Sequence, residues 1–294
     1  VAGVSLSRID SLDVFRLEDT VWVASQAIGA PLYDFAFERF FACRRPWERP
    51  SLITAIGRFG AAADYQDVYA RLLDRGVELV NSPSEHTLAS ELPAWYPHLQ
   101  GRTPRSAWFA APPPRALVER EFGWPVFVKG ARQTAKHSAA LSIARDADAY
   151  DALVAAYASD PILRWQPCVV REFVRLRPVA GDAGIGVPPS FEFRSFWLSG
   201  ELVGAGPYWT GGTRYDWTAT ERAEGLALAR EVAATLHVPF LVVDLAQLET
   251  GEWIVVECND AQEAGYAGIS PFALWARVLE ASRNAARERQ KSGA

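Results

Sequence analysis

The sequence predicts an α+β protein in which an α/β amino-terminal domain precedes a largely antiparallel carboxy-terminal half. Two observations carry this. Residues 51–80 read strand, helix, strand, which joins parallel strands through a crossover. Beyond Phe191, two pairs of apolar runs are each joined by a short glycine-containing turn, the pattern of antiparallel hairpins. The 294 residues suffice for two or three subdomains, and 49% hydrophobic against 22% charged residues lies in the globular range. A net charge of −5 argues against nucleic acid or an anionic membrane as partner. No run reaches the roughly 18 apolar residues of a spanning helix, and the first residues lack a basic-then-apolar leader pattern, so a cytoplasmic location is expected. The scattered Cys43, Cys168 and Cys258 support neither a disulfide framework nor a zinc cluster.

The elements follow in order. Residues 1–50 contain Trp22, Tyr33, Phe35, Phe37, Phe40 and Phe41, which suggest buried structure without a clean period. The apolar run 52–56, ended by Gly57, is a strand. Asp64 opens a helix whose Tyr65, Val68, Tyr69, Leu72 and Leu73 share one face; Gly76 stops it, and 77–80 is the next strand. Ser82, Pro83 and Glu85 form a capping box for a short helix ending near Pro93. Residues 102–105 read as a linker closing a first domain, 1–104.

A second unit, 105–175, contains a helix at 114–122, a strand at 126–129, a helix opened by Asp146 and a strand at 168–174. The third, 176–294, begins with a turn-laden loop at 177–190. Hairpin 191–198/201–206 comes next, then a last long helix at 220–237, stopped by Pro239. Hairpin 240–248/253–259 follows, with helices expected on one side of this sheet and a polar tail after Ser282.

The register of the last hairpin is predictable. A turn centred on Thr250 and Gly251 pairs Leu248 with Trp253, and stepping back places Asp244 opposite Glu257. Facing carboxylates cost a few tenths to ~1 kcal/mol, and more inside runs as apolar as these. Two explanations stand open. A divalent cation lies between them, with Asn259 on the face of Glu257 supplying a neutral oxygen, a donor set suited to Mg²⁺. Alternatively the register slips and arginine pairs the acids. Basic residues are almost all arginine; the three lysines are Lys129, Lys136 and Lys291. A compact ammonium does some work that a planar guanidinium does not.

From about Val80 to Pro271 the chain resembles the ATP-grasp superfamily. The motifs are Phe127-Val128-Lys129, Lys136-His137, Arg171-Glu172-Phe173-Val174, Phe191-Glu192-Phe193-Arg194, Asp244, and Glu257-Cys258-Asn259-Asp260. More narrowly they resemble the clade named for two arginines and a lysine, in a branch designated a domain of unknown function. The resemblance implies an ATP-grasp fold, two α+β lobes sandwiching nucleotide, with ATP and Mg²⁺ as cofactors. It places Lys129 on phosphate, and Lys136 and His137 on the phosphate-covering loop. Glu172, Phe173 and Val174 become the hinge that reads adenine. Arg171, on the opposite face from Glu172, would face phosphate or an acceptor carboxylate, and Arg194 would clamp phosphate. Asp244, Glu257 and Asn259 would hold Mg²⁺.

The implied activity is a carboxylate–amine ligase that forms an amide or peptide bond through an acyl phosphate, acting on small-molecule or peptide substrates. A phosphotransferase and a non-catalytic nucleotide-binding module are the rivals. The first hundred residues match little of the family's usual amino-terminal domain.

Other residues are assigned more simply. His86 and His98, flanking Trp95-Tyr96, are expected to face solvent rather than line a substrate pocket. Residues 181–186 form a mobile loop, and Cys258 is a small core residue. Asp260 and Gln262 either bind the acceptor or cap the turn that follows, where Gly265 and Gly268 allow close approach to a ligand.

Overall fold

The computed structural model describes residues 13–25, 34–45, 50–62, 64–136, 138–181, 185–212 and 214–292. Three sheets follow one another along the chain. In the first, β1 (Asp13–Leu17) and β2 (Val21–Ser25) form a hairpin, with β3 (Cys43–Arg44) on its outer edge. Strand β2 runs parallel to β4 (Ile53–Arg58), which runs parallel to β5 (Val77–Leu79) across helix α1 (Tyr65–Leu73). The missing period of the first fifty residues now has a cause. Phe15, Leu17 and Val23 enter one core while Val14 and Ala24 enter another, so both faces of the hairpin are covered and no polar alternation is required. Tyr33 lies outside the described residues.

Asp64 caps α1 by accepting from the Asp67 N–H. Gly76 follows at φ +76°, and a Cβ there would lie 2.7 Å from Ser51 O, so only glycine fits. The Ser82–Glu85 capping box forms and opens α2 (Pro83–Ser90), which α3 (Leu92–Trp95) continues.

The second sheet, in order β6-β9-β7-β8, comprises β6 (Ser106–Phe109), β7 (Val126–Gly130), β8 (Ile143–Ala144) and β9 (Cys168–Glu172), all antiparallel. Helices α4 (Arg115–Glu121) and α5 (Ala147–Tyr157) supply Val118, Tyr150 and Leu153 to a core with Val126, Val128, Cys168 and Val170. Strand alternation therefore turns Lys129 and Arg171 to the opposite face.

The third sheet, in order β11-β10-β12-β13, comprises β10 (Glu192–Leu198), β11 (Glu201–Pro207), β12 (Phe240–Gln247) and β13 (Trp253–Asp260). Helix α6 (Ala219–Leu236) covers one face through Leu226, Ala229 and Val232, which meet Leu241, Val243, Leu245, Val255 and Cys258. Ala89, Leu92 and Trp95 join that core, so α2 and α3 pack into this lobe. The expectation of helices on one side is corrected. The other face buries Phe196 and Val242 against Leu274, Trp275 and Val278 of α7 (Pro271–Ser292) and against Phe15, Leu17 and Val23. The last long helix is α7, and the residues after Ser282, read as a tail, continue it. No helix among the described residues is long and apolar enough to cross a membrane.

Two further expectations change. Residues 102–105 are not a solvated linker: the Val255 N–H donates to Arg102 O at 2.8 Å, and Thr103 Oγ1 donates to Val255 O at 2.8 Å. Their polar groups cover the outer edge of β13, which would otherwise carry unpaired backbone. The second change is at the hairpin turn, where Gln247, not Leu248, pairs with Trp253. The pairing shifts by one between Leu245↔Val255 and Asp244↔Glu257, a β-bulge that inserts Val256. The acids meet as expected, through a turn register that was off by one and a bulge that restores it.

Candidate active site

Asp244 is fully buried, and its neighbour across β10 is Arg194. Arg194 Nε and Nη2 donate to the two Asp244 oxygens at 2.8 and 2.7 Å, while Nη1 donates to Gly265 O at 2.9 Å. Its guanidinium lies 5.0 Å from the ring centre of Tyr208. Lys129 Nζ reaches across from β7 to Glu257. So Asp244 and Glu257 face each other as expected, while an arginine pairs one of them, as the alternative explanation had it: Arg194 holds Asp244 and Lys129 holds Glu257.

Lys136 donates to Glu192 at 3.4 Å, and its ammonium sits 3.8 Å above the Tyr208 ring. Glu192 is buried two residues before Arg194, on the same strand face. Burial raises its pKa, with Lys136 opposing. For Glu257, burial acts in the same upward direction, but Lys129 and Lys136 outweigh it and hold the carboxyl below its ordinary range. Burial lowers the Lys129 ammonium, against the pull of Glu257. Lys129, Lys136 and Arg194 thus meet Glu257, Glu192 and Asp244 one to one, with Arg171 close enough to feel the Glu257 charge.

Arg171 is buried, on the face opposite the exposed Glu172, as expected. All three of its nitrogens meet protein oxygens: Nε donates to Ser106 Oγ at 3.1 Å, Nη1 to Val256 O at 2.9 Å and Nη2 to Thr103 Oγ1 at 2.6 Å. Burial presses its pKa down to about 10. Glu172 ends β9, and half-buried Phe173 and Val174 lead to the Leu176↔Leu248 bridge, so this segment crosses between the lobes. Asn259 is half-buried opposite Val242. His137 and residues 182–184 of the 181–186 loop lie outside the described residues.

Among the described residues no group of three or more His, Cys, Asp or Glu side chains is placed to hold a metal ion. Two carboxylates and the Asn259 amide are nevertheless a hard-ion donor set. A bare ion would displace Arg194 and Lys129 and leave buried cations unpaired, at several kcal/mol each by the usual cost of burying a charge. An ion that arrives with a polyphosphate brings anionic oxygens to receive them. The residues therefore fit a metal–phosphate unit.

His86 departs from expectation, whereas His98 is exposed as expected. His86 is buried and stacks on Tyr65 at 3.8 Å between ring centres. Its Nε2 lies 3.0 Å from Arg132 Nη2, which can only donate, so the ring proton sits on Nδ1, 3.0 Å from Asp260 Oδ2. Asp260 Oδ1 accepts from the Gln262 N–H at 2.9 Å, capping the turn. Gln262 accepts from the Gly57 N–H and donates to the Tyr65 hydroxyl, tying the end of β13 to the amino-terminal sheet, whereas Asp260 ties it to α2. Cys258 lies in the α6 core as read. Gly268 allows a close approach, but to Pro207 O, which would lie 2.7 Å from an added Cβ.

Several site residues escaped the sequence reading. Glu192 was recoverable, because period two puts it beside Arg194. Thr103, Ser106 and Tyr208 carried no local signal.

The sequence profile of the ATP-grasp domain, family 3 of the clade named for two arginines and a lysine, matches residues 107–278. A search of curated proteins returns no relative. Among solved structures, D-alanine–D-alanine ligase from Bacillus anthracis, complexed with ATP, superposes with TM-score 0.55 at 13% identity, covering 80% of this chain and 80% of that one. The RimK domain protein ATP-grasp from Sphaerobacter thermophilus DSM 20745 gives 0.52 at 17%, covering 80% and 79%. D-alanyl-alanine synthetase A from Vibrio cholerae O1 biovar eltor gives 0.53 at 15%, covering 78% and 72%. At such identities these relatives establish the shared fold.

Proposed function

The chain belongs to the ATP-grasp domain family, in family 3 of the clade named for two arginines and a lysine, and from that membership we propose that it is an ATP- and Mg²⁺-dependent carboxylate–amine ligase. The observation that supports this reading is the pair of exchangeable contacts at one strand junction, Arg194 on Asp244 and Lys129 on Glu257. Each carboxylate can pass to a metal while its cation passes to phosphate, so no buried charge is stranded during binding. In the reaction, a substrate carboxylate oxygen attacks the γ-phosphorus, the bond to the β,γ-bridging oxygen breaks, and ADP leaves. An amine nitrogen then attacks the acyl carbon and loses a proton as inorganic phosphate departs, leaving an amide or peptide bond.

Mg²⁺, held by Asp244, Glu257 and Asn259, would supply charge neutralisation for the phosphates. Lys129 and Arg194 stabilise the transferring phosphoryl group, the guanidinium through its two-pronged geometry. Lys136, with His137 beside it in sequence, closes the loop over the phosphates. Glu172, Phe173 and Val174 line the adenine slot at the lobe crossing, an apolar site with a few fixed polar groups. No side chain need act as a covalent nucleophile, because positioning and electrostatics carry phosphoryl transfer.

The test is ADP and phosphate release across a panel of amino acids, peptides and small carboxylates, with and without amines. Amine-dependent product is the expected result. Asp244→Asn or Glu257→Gln should lower turnover roughly a hundred- to a thousand-fold while the circular dichroism spectrum is unchanged. A stable phosphorylated product that no amine consumes would instead identify a phosphotransferase, and Mg·ATP binding without ADP release a non-catalytic module.

A further inference from the structure

Strand β13 changes face once, and Glu257 owes its place in the site to that change. Val255 packs on the α6 side, as does Trp253, against which Gly225 of α6 lies. Continued at period two, that side would next take Glu257, putting a carboxylate among Leu226, Ala229 and Val232. Instead Cys258 takes it, three residues after Val255, and Glu257 faces Lys129. The residue that resets the parity is Val256, inserted opposite the step from Asp244 to Leu245.

An inserted residue leaves backbone groups outside the ladder, and these must find partners when buried. In a regular strand successive carbonyls point to opposite edges. Here Val255 O and Val256 O both accept from outside the sheet. Thr103 Oγ1 donates to the first at 2.8 Å and Arg171 Nη1 to the second at 2.9 Å. Arg171 Nη2 donates to Thr103 Oγ1 at 2.6 Å, joining the two supports, and Ser106 Oγ receives Nε. With all three nitrogens committed, the guanidinium is a brace from the smaller lobe to the bulge of the larger.

We propose that Arg171 is a positioning residue: with Thr103 it clamps the bulge at Val256 and so turns Glu257 to the nucleotide face, without itself touching phosphate. This rests on the ligase reading only in taking that face to bind a metal–nucleotide unit. Lysine cannot replace it, because a single ammonium does not span a carbonyl and two hydroxyls in one plane.

The test compares Arg171→Ala, Arg171→Lys and Thr103→Val with the unsubstituted protein. Calorimetry measures binding of a non-hydrolysable ATP analogue in EDTA, and Mn²⁺ paramagnetic resonance measures metal uptake in the presence of the analogue. All three variants should bind Mn²⁺ about 10- to 100-fold more weakly, the usual loss when a ligand's support is removed. Analogue affinity in EDTA should stay within about twofold, since the support acts on a metal ligand rather than on phosphate. Loss of analogue affinity in EDTA for the Arg171 variants, with normal Mn²⁺ uptake by Thr103→Val, would make Arg171 a phosphate ligand and overturn the proposal. If Arg171→Ala does not fold, Thr103→Val, which keeps side-chain volume, decides the matter. Failure of the unsubstituted protein to bind the analogue at all overturns the ligase reading itself, a separate result.

Discussion

Lys129 and Arg194 on the candidate nucleotide face, and Arg58 and Arg132 at the seam with the amino-terminal sheet, are all buried cations, yet they are held differently. Lys129 has the Glu257 carboxylate, and Arg194 commits two nitrogens to Asp244. Arg58 donates to Ala261 O at 2.7 Å, Gln262 O at 3.2 Å and Ala264 O at 3.1 Å, with Asp34 at 3.5 Å and the Tyr266 ring beneath it. Arg132 donates to Ala62 O at 2.7 Å as well as meeting His86 and Glu263, both at 3.0 Å. A side-chain carboxylate can rotate to a new partner, whereas a backbone carbonyl in a packed turn cannot. The candidate nucleotide face thus relies mainly on carboxylates, with Gly265 O as the one backbone acceptor of Arg194, whereas the seam adds backbone carbonyls to every cation it holds.

The largest effect that sharpens this contrast is expected at the seam. Arg58→Ala removes the donor to three buried carbonyls and leaves Asp34 without its cation, and should cost ~3–5 kcal/mol of stability in urea unfolding. Nucleotide affinity of the folded fraction should be unchanged. A stable Arg58→Ala protein that has lost nucleotide binding would move Arg58 into the site and erase the distinction.

A smaller effect is expected on the other side. Lys129→Met alone strands Glu257, and Glu257→Gln alone strands Lys129, so each should destabilise. The double variant Lys129→Met/Glu257→Gln should return to within ~1 kcal/mol of the parent, because neutral groups of similar volume can replace a buried pair at little cost. It should bind no Mg·ATP. Failure of the double variant to recover stability would show this pair to be as structural as the seam.

Legibility in the sequence followed the range of the signal. The helices opened by Asp64, Ser82 and Asp146 were readable because a cap is a contact within three residues. The Asp244–Glu257 pairing was readable too, though for an incomplete reason. Val255, Val256 and Glu257 look like uninterrupted strand, so neither the bulge nor the shifted turn left a mark, and two one-residue errors cancelled. Lys129 is 128 residues from Glu257, and His86 is 174 from Asp260. Such pairs are set by how sheets and helices pack, which no local pattern carries. The solvent-facing reading of His86 failed for that reason: α2 presents it to Asp260, and its capping box says nothing of which face is covered.

The smallest expected effect divides the candidate nucleotide face itself. Burial raises Glu192 above the ordinary carboxyl value of 4.5, while Lys129 and Lys136 hold Glu257 below it. The signs differ in consequence. Protonating Glu192 is easier in the folded protein than in the unfolded chain, so acidification through its pKa does not oppose folding. Glu257 contributes stability that is present above the ordinary carboxyl value and is lost as pH falls through its depressed one. Glu192 should therefore release Lys136 first, with the fold and the Lys129–Glu257 contact intact, and Glu257 should follow only under more acidic conditions. Carboxyl ¹³C shifts of glutamate-labelled protein would follow both steps, and Glu192→Gln should delete the upper one alone. Were the two carboxyls to titrate together, or Glu257 first, Lys136 would not be the more readily released cation, and its place as the mobile closure over phosphate would fall.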